Sequence, residues 1–310
     1  MKGKALIITE AKGKTAADYI GKSEFDYIVC PGGSLKPLKK GCYEINDRAY
    51  EDAKSGKYGM HEHNDATCLA YEISRESGKP AYMLYPMSCD ELLAIKRITS
   101  NARVSKHSRY HALEHRIAMR KYAAEIGNDA YDMNLIVVYI GDQVSVSAMQ
   151  RGTCIDVNDC IGGEGPMGLT SSGDVPVAQL AAYYLESGKS LEEMTEILTK
   201  KSGIAEFGEF TDMSELDKAC DSDADLKLAC EAMAYQTAKW VGSSALALKG
   251  QVDGIVICGK AASSEVITDA LVKRIEKIAP VRMYKDLDIE AGMCELMRLL
   301  GTNALPVDEY

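Results

Sequence analysis

Residues 134–167 read NLIVVYIGDQVSVSAMQRGTCIDVNDCIGGEGPM and decide the fold. The run 134–140 is rich in isoleucine and valine and stops at a glycine, which predicts a buried strand. Residues 144–149 alternate apolar side chains with serines, which predicts a second strand with one exposed face. An Arg-Gly turn leads to a third short strand at 153–157, and a glycine-rich loop follows. The stretch therefore predicts a three-stranded meander joined by glycine turns.

Around this meander, helical and strand patterns alternate along the chain, which favours an α/β protein. Strands are predicted at 4–9, 27–30, 80–84, 252–257 and 281–284. Helices are predicted at 47–56, 61–77, 108–126, 175–187, 191–201, 225–248, 263–278 and 290–300.

A strand, a glycine turn and two more strands are typical of the phosphate-binding meander of the sugar kinase, heat-shock ATPase and actin superfamily. The order IVV, SVSA, RG before IDVN, and GEGPM resembles the butyrate kinases of the acetate kinase family. The resemblance can be followed from Asp26 to about Leu300. It implies two ribonuclease-H-like (actin-like ATPase) domains with a cleft between them. It also implies ATP and Mg²⁺ as cofactors, a small carboxylate substrate, and a homodimer or larger homo-oligomer.

The resemblance also implies domain bounds. An N-terminal domain is expected over residues 1–126, with a shortened first phosphate-loop hairpin. A C-terminal domain is expected over residues 127–288. Residues 289–310 are expected to form a helix and a tail that pack back on the N-terminal domain.

Composition limits the function classes. With 310 residues, of which 46% are apolar, the chain can bury a large core in two domains. A net charge of −10 argues against a nucleic-acid-binding protein. The N-terminal apolar run is too short for a signal peptide, and no window reaches the ~20 apolar residues of a membrane span. We expect a cytoplasmic protein whose ten scattered cysteines are reduced, and we predict no metal site from them.

The substrate cleft is expected to contain Gly32, Gly33, Tyr85 and Pro86. Butyrate kinases have Gly-Arg-Gly-Gly at the first segment, where the arginine contacts the transferring phosphoryl group, and here Pro31 takes its place. Tyr85 replaces an aspartate on the metal side, and its phenol is a poor substitute for the hard carboxylate oxygen that Mg²⁺ prefers. The backbone path is therefore expected to survive without the charged groups.

His61 matches a histidine that the family places beside the substrate. His111 matches a histidine that is proposed in the family to stabilise the transition state. These two are the candidate catalytic residues. A histidine at a helix start commonly caps the helix or is solvated, so this alternative stays open for His61. His111 and His115 are spaced by one helical turn and could bind a metal, or they could form a partly buried polar pair.

The candidate nucleotide-binding residues come from three segments of the second domain: Gly141, Asp142, Gln143, Ser145, Glu164, Gly165, Gly259 and Lys260. The family has a run of glycines at the first of these turns, where bare N–H groups can bind phosphate. A carboxylate at this turn would repel a phosphate, and each like-charge pair costs about 4 kcal/mol of interaction energy at ~4 Å and an effective dielectric near 20. Alternatively, Asp142 binds Mg²⁺ and so assists binding. Ser171 replaces a second phosphoryl-binding arginine.

Three functions are compatible with this pattern. The first is a catalytically impaired pseudokinase that serves as a binding, regulatory or partner subunit. The replacement of both phosphoryl-binding arginines favours it, because one arginine at the transferring group contributes roughly 10³–10⁵ to the rate. The second is a divergent, active carboxylate kinase that converts ATP and a butyrate-like acid to acyl phosphate and ADP. The third is another activity in the same cleft that recruits Lys12, Lys14, Lys260 or Asp142.

Overall fold

A computed structural model describes residues 3–300, 302 and 305–310, which form two compact units. The first unit contains the described residues up to Glu91, the segment His111–Ile117 and the described residues from Asp288 onward. The second contains Leu92–Tyr110 and Ala118–Leu287. Residues 92–110 and 118–126 thus belong to the second unit, and the predicted domain bounds 1–126, 127–288 and 289–310 stay a prediction.

The first unit is built on a five-stranded sheet in the order β1-β2-β4-β3-β10. Its strands are β1 (Ala5–Ile7), β2 (Tyr27–Pro31), β3 (Cys42–Glu44), β4 (Ala81–Leu84) and β10 (Val307–Glu309). β1, β2 and β4 run parallel, β3 is antiparallel to β4, and β10 pairs parallel with β3. Its helices are α1 (Asp47–Ser55), α2 (Glu62–Ser77) and α9 (Ile289–Met297). The described tail therefore completes the sheet of the first unit.

The second unit is built on another five-stranded sheet, in the order β7-β6-β5-β8-β9. Its strands are β5 (Asn134–Ile140), β6 (Val144–Gln150), β7 (Thr153–Val157), β8 (Gly254–Cys258) and β9 (Val281–Met283). β5, β6 and β7 form the predicted antiparallel meander, and β8 joins β5 in parallel. Its helices are α4 (Val177–Ser187), α5 (Leu191–Lys200), α6 (Met213–Cys220), α7 (Ala224–Ala247) and α8 (Glu265–Ile275). The α/β prediction with two sheets is confirmed.

The exposure predicted for the second strand of the meander is wrong. Ser145 and Ser147 of β6 are both fully buried. β6 lies between β5 and β7, and α7 packs against it. A buried serine is tolerated where its hydroxyl finds an acceptor, as when Ser147 Oγ donates to the Val137 carbonyl at 3.4 Å. Alternation of apolar residues with small hydroxyl residues therefore does not imply a solvent-facing side.

The helix predicted at 108–126 is α3 (Ala112–Glu125), which begins four residues later. Arg109 explains the delay, because two of its groups are already engaged outside a helix. Its guanidinium Nη2 lies 2.8 Å from Asp159 Oδ2, and its carbonyl accepts from the Cys160 N–H at 3.1 Å. His111 thus precedes the helix, and its carbonyl accepts the N–H of His115 at 3.0 Å. Among the helices of the described residues, none combines the length and apolar character that a membrane crossing requires.

Candidate functional site

The second unit contains a cavity of about 1160 Å³. Its walls come from the turn after β5, the segment 205–221 that includes α6, and the start of α8. Leu169, Phe210, Met213 and Val266 give it apolar surface. The volume is large enough for an organic ligand, since ligand pockets commonly span roughly 300–1,000 Å³.

The turn 141–143 directs one acidic side chain to this cavity. A Cβ on Gly141 would lie 2.8 Å from the Tyr139 ring, so a glycine is needed for the close approach. The carbonyls of Gly141 and Asp142 accept N–H groups of the next loop at 2.8 and 3.2 Å, which fixes the turn. Gln143 is directed elsewhere, because its side-chain amide donates to the Thr199 carbonyl at 3.3 Å. Asp142 lines the cavity and Gln143 does not.

Lys260 reaches the same cavity from the end of β8. Gly259 has a φ of 99°, and a Cβ there would lie 2.4 Å from the Ile140 carbonyl oxygen, so only glycine fits this position. The ammonium of Lys260 lies 2.7 Å from a carboxylate oxygen of Asp142. The two side chains are 54% and 47% exposed. Because exposed pairs contribute about 0–1 kcal/mol, this pair holds Lys260 only weakly.

The N-terminus of α8 also borders the cavity and already holds a carboxylate of this chain. Asp217, on α6, accepts the N–H of Glu265 at 2.7 Å and the hydroxyl of Ser264. Ser264 Oγ in turn accepts the Ile267 N–H at 3.3 Å. Helix N-termini attract anions through their unpaired N–H groups and the helix dipole. Asp217 therefore takes donors that a phosphate would otherwise use.

The charge of the cavity is strongly negative. Among the residues that line it are six acidic residues and two lysines. The acidic residues are Asp142, Glu209, Asp212, Asp217, Asp221 and Glu265. Of the lysines, Lys260 is already paired with Asp142, and Lys218 is the second. These residues fit a triphosphate poorly, because the wall has more carboxylates than ammonium groups and each carboxylate near a phosphate opposes its binding. Within the described residues, no group of three or more His, Cys, Asp or Glu side chains could hold a metal ion.

The other predicted nucleotide-binding residues lie outside the wall of this cavity. Ser145 is buried in β6. Glu164 pairs with Lys106, and its carboxylate accepts the Asp159 N–H at 2.9 Å. Gly165 has a φ of 108°, and a Cβ there would lie 2.2 Å from the side-chain nitrogen of Asn158.

Asn158 is fully buried and connects these loops. Its amide donates to the carbonyls of Glu164 and Val144 at 2.7 and 2.9 Å, and its oxygen accepts the Val146 N–H at 2.9 Å. The GEGPM loop is thereby tied to β6. Ser171, at the position of the second arginine, is also buried.

In the first unit, the predicted substrate residues are close-packed. A Cβ on Gly32 would lie 2.5 Å from the Pro86 ring, and one on Gly33 would lie 2.2 Å from the side-chain oxygen of Asn64. Tyr85 is buried with a φ of 39°, a strained conformation for a residue with a side chain. The Arg116 guanidinium lies 5.4 Å from its ring centroid. Gly32, Gly33, Tyr85 and Pro86 thus form one packed loop pair.

The histidines lie in the same unit. His61 caps the start of α2, where its Nδ1 accepts the His63 N–H at 3.2 Å, and the two rings are 4.8 Å apart. Burial, with nearby His115, His61 and His63, lowers the pKa of His111 well below its usual value. Burial likewise lowers the pKa of His115 to about 3. His61 therefore serves the capping role left open above, and His111 is held neutral at physiological pH.

Two of these features were not foreseen from the sequence. Asp217 acts as a cap for a helix 47 residues further along the chain, measured from its contact with Ser264. The only sequence signal is the density of acidic residues between 206 and 225, which is typical of a solvated surface. His63 stands where the family has serine, and its contact with His61 follows from the helix start rather than from any motif.

Comparisons with known proteins identify the family of this chain. Residues 92–279 match the acetokinase family. Butyrate kinase 1 of Clostridium acetobutylicum is 36% identical over 274 residues, which cover 88% of this chain and 77% of that protein. The chain belongs to the acetokinase family. Butyrate kinase 2 of the same organism is 33% identical over 271 residues, covering 87% of this chain and 76% of that protein.

Solved structures confirm the fold of this acetokinase-family chain. The acetate kinase of Porphyromonas gingivalis matches with a TM-score of 0.74 and 17% identity, covering 90% of this chain and 79% of that one. A propionate kinase from Francisella tularensis matches with a TM-score of 0.67 and 18% identity, covering 86% of this chain and 78% of that one. The actin-like ATPase fold is therefore confirmed, and at this level of identity the likeness extends to the fold alone. Kinases of the acetokinase family use ATP and Mg²⁺.

Proposed function

We propose that this acetokinase-family chain is a catalytically impaired kinase that acts as a binding, regulatory or partner subunit, assembled as a homodimer. The observation that carries the proposal is the Asp142–Lys260 pair in the cavity of the second unit. A phosphate that approaches the Lys260 ammonium would also meet the Asp142 carboxylate, which lies 2.7 Å from it.

Two further features support the proposal. Asp217 takes the donors at the N-terminus of α8, and the cavity wall holds six acidic residues against two lysines. At about 4 Å, each carboxylate–phosphate contact costs ~1 kcal/mol in bulk water and about 4 kcal/mol at an effective dielectric of 20. Phosphoryl transfer depends on positioning and charge neutralisation, and one arginine at the transferring group contributes roughly 10³–10⁵ in rate. Pro31 and Ser171 supply no such charge.

A second candidate function is a divergent short-chain carboxylate kinase, in which a carboxylate oxygen attacks the terminal phosphorus of ATP and ADP leaves. The identity of 36% to butyrate kinase 1 favours it. His61 and His111 also remain in the first unit together with Gly32 and Gly33. In this case a cation that is not evident from the cavity wall would have to neutralise the phosphates.

Binding of ATP separates the two candidates. Isothermal titration calorimetry and thermal shift with ATP and Mg²⁺, at low and at physiological salt, measure affinity directly. The proposal predicts no saturable heat and no rise in melting temperature at millimolar ATP. Binding with a micromolar dissociation constant, typical of a working kinase site, would contradict it and favour the second candidate.

A further inference from the structure

Two buried thiols of the second unit are in contact. Cys220 is the last residue of α6, Cys230 lies near the start of α7, and their Sγ atoms are 3.8 Å apart. The two residues are 4% and 0% exposed. A single buried cysteine is explained as a small packing residue. Two sulfur atoms this close are also placed for a covalent bond, because a disulfide needs them only about 1.8 Å nearer to each other.

The connection between the two helices allows this approach. Residues 221–223 join α6 to α7 directly and are exposed. α6 has only 8 residues, whereas α7 has 24. A short helix at the surface opens locally at a lower free-energy cost than a long packed one. The last turn of α6 can therefore move towards α7 and admit a small reagent to the thiols.

Cys220 is the thiol expected to react first. Burial raises the pKa of both thiols. The contact between them partly offsets this rise for Cys220 and adds to it for Cys230. Because the thiolate is the nucleophile, Cys220 attacks an oxidant and Cys230 resolves the product. The raised pKa values make the reaction slow, which suits a response to an oxidant that accumulates.

The charges near Cys220 determine which oxidant reaches it. Asp217 and Asp221 lie close enough to raise the pKa of this thiol, and Lys227 acts in the opposite direction. Carboxylates thus outnumber ammonium groups around the sulfur, and they repel an anionic disulfide such as oxidised glutathione. An uncharged hydroperoxide is not repelled and is small enough to enter through a local opening.

We propose that Cys220 and Cys230 form a reversible disulfide when an uncharged hydroperoxide oxidises the chain. The Cys220 thiolate attacks the terminal oxygen of the hydroperoxide, so that an S–O bond forms, the O–O bond breaks and an alcohol leaves with the proton of the thiol. The Cys230 thiol then attacks the Cys220 sulfur, so that the S–S bond forms and water leaves. The two thiols lose two electrons and two protons, and the hydroperoxide becomes alcohol and water. Exchange with a dithiol restores both thiols.

The bond affects the cavity wall through α6, which packs against both α7 and α8. Asp217 lies one turn before Cys220 and accepts the Glu265 N–H at the start of α8 at 2.7 Å. Lys218 and Asp221 line the cavity. A shift of about 1.8 Å in this turn exceeds what a hydrogen bond tolerates, so the Glu265 N–H loses its acceptor. Oxidation therefore loosens the contact between α6 and α8 beside the cavity.

Peptide mapping of the full chain after treatment with hydrogen peroxide tests the bond. Trypsin cuts after lysine, and Lys227 lies between the two cysteines, so that they fall in separate peptides, 219–227 and 228–239. After alkylation of the remaining thiols, these peptides should appear linked, with a mass two hydrogens below their sum, and dithiothreitol should separate them. Absence of the linked pair under conditions that oxidise the exposed Cys294 would overturn the proposal.

Two variants and a second oxidant sharpen this test. Cys294→Ser should form the linked pair as the wild type does, and its failure to do so would assign the linkage to Cys294. Oxidised glutathione at the same concentration and low ionic strength should form the linked pair at least about 10-fold more slowly than hydrogen peroxide. Faster linkage by oxidised glutathione would contradict the assignment of the oxidant.

Hydrogen exchange at the start of α8 tests the effect on the cavity wall. In the oxidised chain, the amides of residues 264–267 should exchange at least about 3-fold faster than in the reduced chain, and dithiothreitol should reverse the change. The control is Cys230→Ala treated with the same peroxide, which should show no change in this segment. Unchanged exchange in the oxidised wild type, or an equal change in Cys230→Ala, would contradict the coupling. No step uses ATP, so these results are independent of the proposed function.

Discussion

Replacing Asp142 with asparagine removes one carboxylate charge from the cavity while it keeps the side-chain shape. Two effects then favour the binding of a polyphosphate. The repulsion between the Asp142 carboxylate and the phosphates disappears. The Lys260 ammonium, which lies 2.7 Å from that carboxylate in the wild type, loses its competing partner. A like-charge pair at ~4 Å costs between about 1 kcal/mol in water and about 4 kcal/mol at an effective dielectric of 20. Because Asp142 is 47% exposed, the value lies near the lower limit, at about 1–2 kcal/mol. We therefore expect Asp142→Asn to bind ATP about 5- to 30-fold more tightly than the wild type, for which the titration gives only a lower limit on the dissociation constant.

Calorimetric titration with ATP and Mg²⁺ at low ionic strength measures this gain. Asp269→Asn is the matched control, because Asp269 is an exposed residue of α8 outside the cavity wall and the substitution changes the net charge equally. The gain should shrink in about 0.3 M salt, since half-exposed charges are screened. A weaker affinity in Asp142→Asn would mean that Asp142 assists through Mg²⁺ and would refute the reasoning. An equal gain in ATP affinity in Asp269→Asn would show that the effect comes from the net charge of the chain and not from the position of Asp142.

Three further predictions concern stability. Burial lowers the pKa of His115 to about 3, so between pH 7 and pH 5 this side chain takes up a proton only when the chain unfolds. The free energy of unfolding should therefore fall by about 2 kcal/mol from pH 7 to pH 5 on account of this residue. Urea unfolding of His115→Asn at the two pH values should show a correspondingly smaller decrease. Gly259→Ala should lower the free energy of unfolding by at least about 2 kcal/mol, because its methyl group would clash with the Ile140 backbone. The control Gly250→Ala, at a φ of 75° with open space around it, should lower it by about 1 kcal/mol. Equal melting temperatures of the two variants would contradict this prediction. Asn158→Ala should cost about 2–4 kcal/mol by leaving three backbone groups unpaired, which thermal unfolding checks.

The sequence predicts the meander well because its signal is local. β5 and β7 have the predicted bounds, since an apolar run and a glycine turn specify a strand without reference to distant residues. The burial of β6 was not predictable in this way, because it depends on α7, which lies about 80 residues further along the chain. The late start of α3 has the same origin: Arg109 is held by Asp159, and that contact overrides the helical pattern.

The candidate site was predictable only in part for similar reasons. Asp142 and Lys260 were found because the family resemblance marks their turns, and they meet in one cavity. The same resemblance assigned Glu164 and Gly165 to the nucleotide site as well. In the structure, contacts with Lys106 and Asn158 fix their loop instead. Asp217 carries no motif, and its importance depends on the packing of α6 beside the start of α8. The sequence pattern thus identifies residues on the loops that the family shares. A carboxylate such as that of Asp217, which a different helix supplies, can be found only from the three-dimensional structure.

Trapping of acyl phosphate with hydroxylamine, in a mixture of the chain, ATP, Mg²⁺ and butyrate, tests impaired phosphoryl transfer most directly. With so few cations beside the cavity's acidic groups, we expect no hydroxamate above the level of a sample without protein. Steady production at about 1–100 turnovers per second, the range of ordinary kinases, would contradict the account.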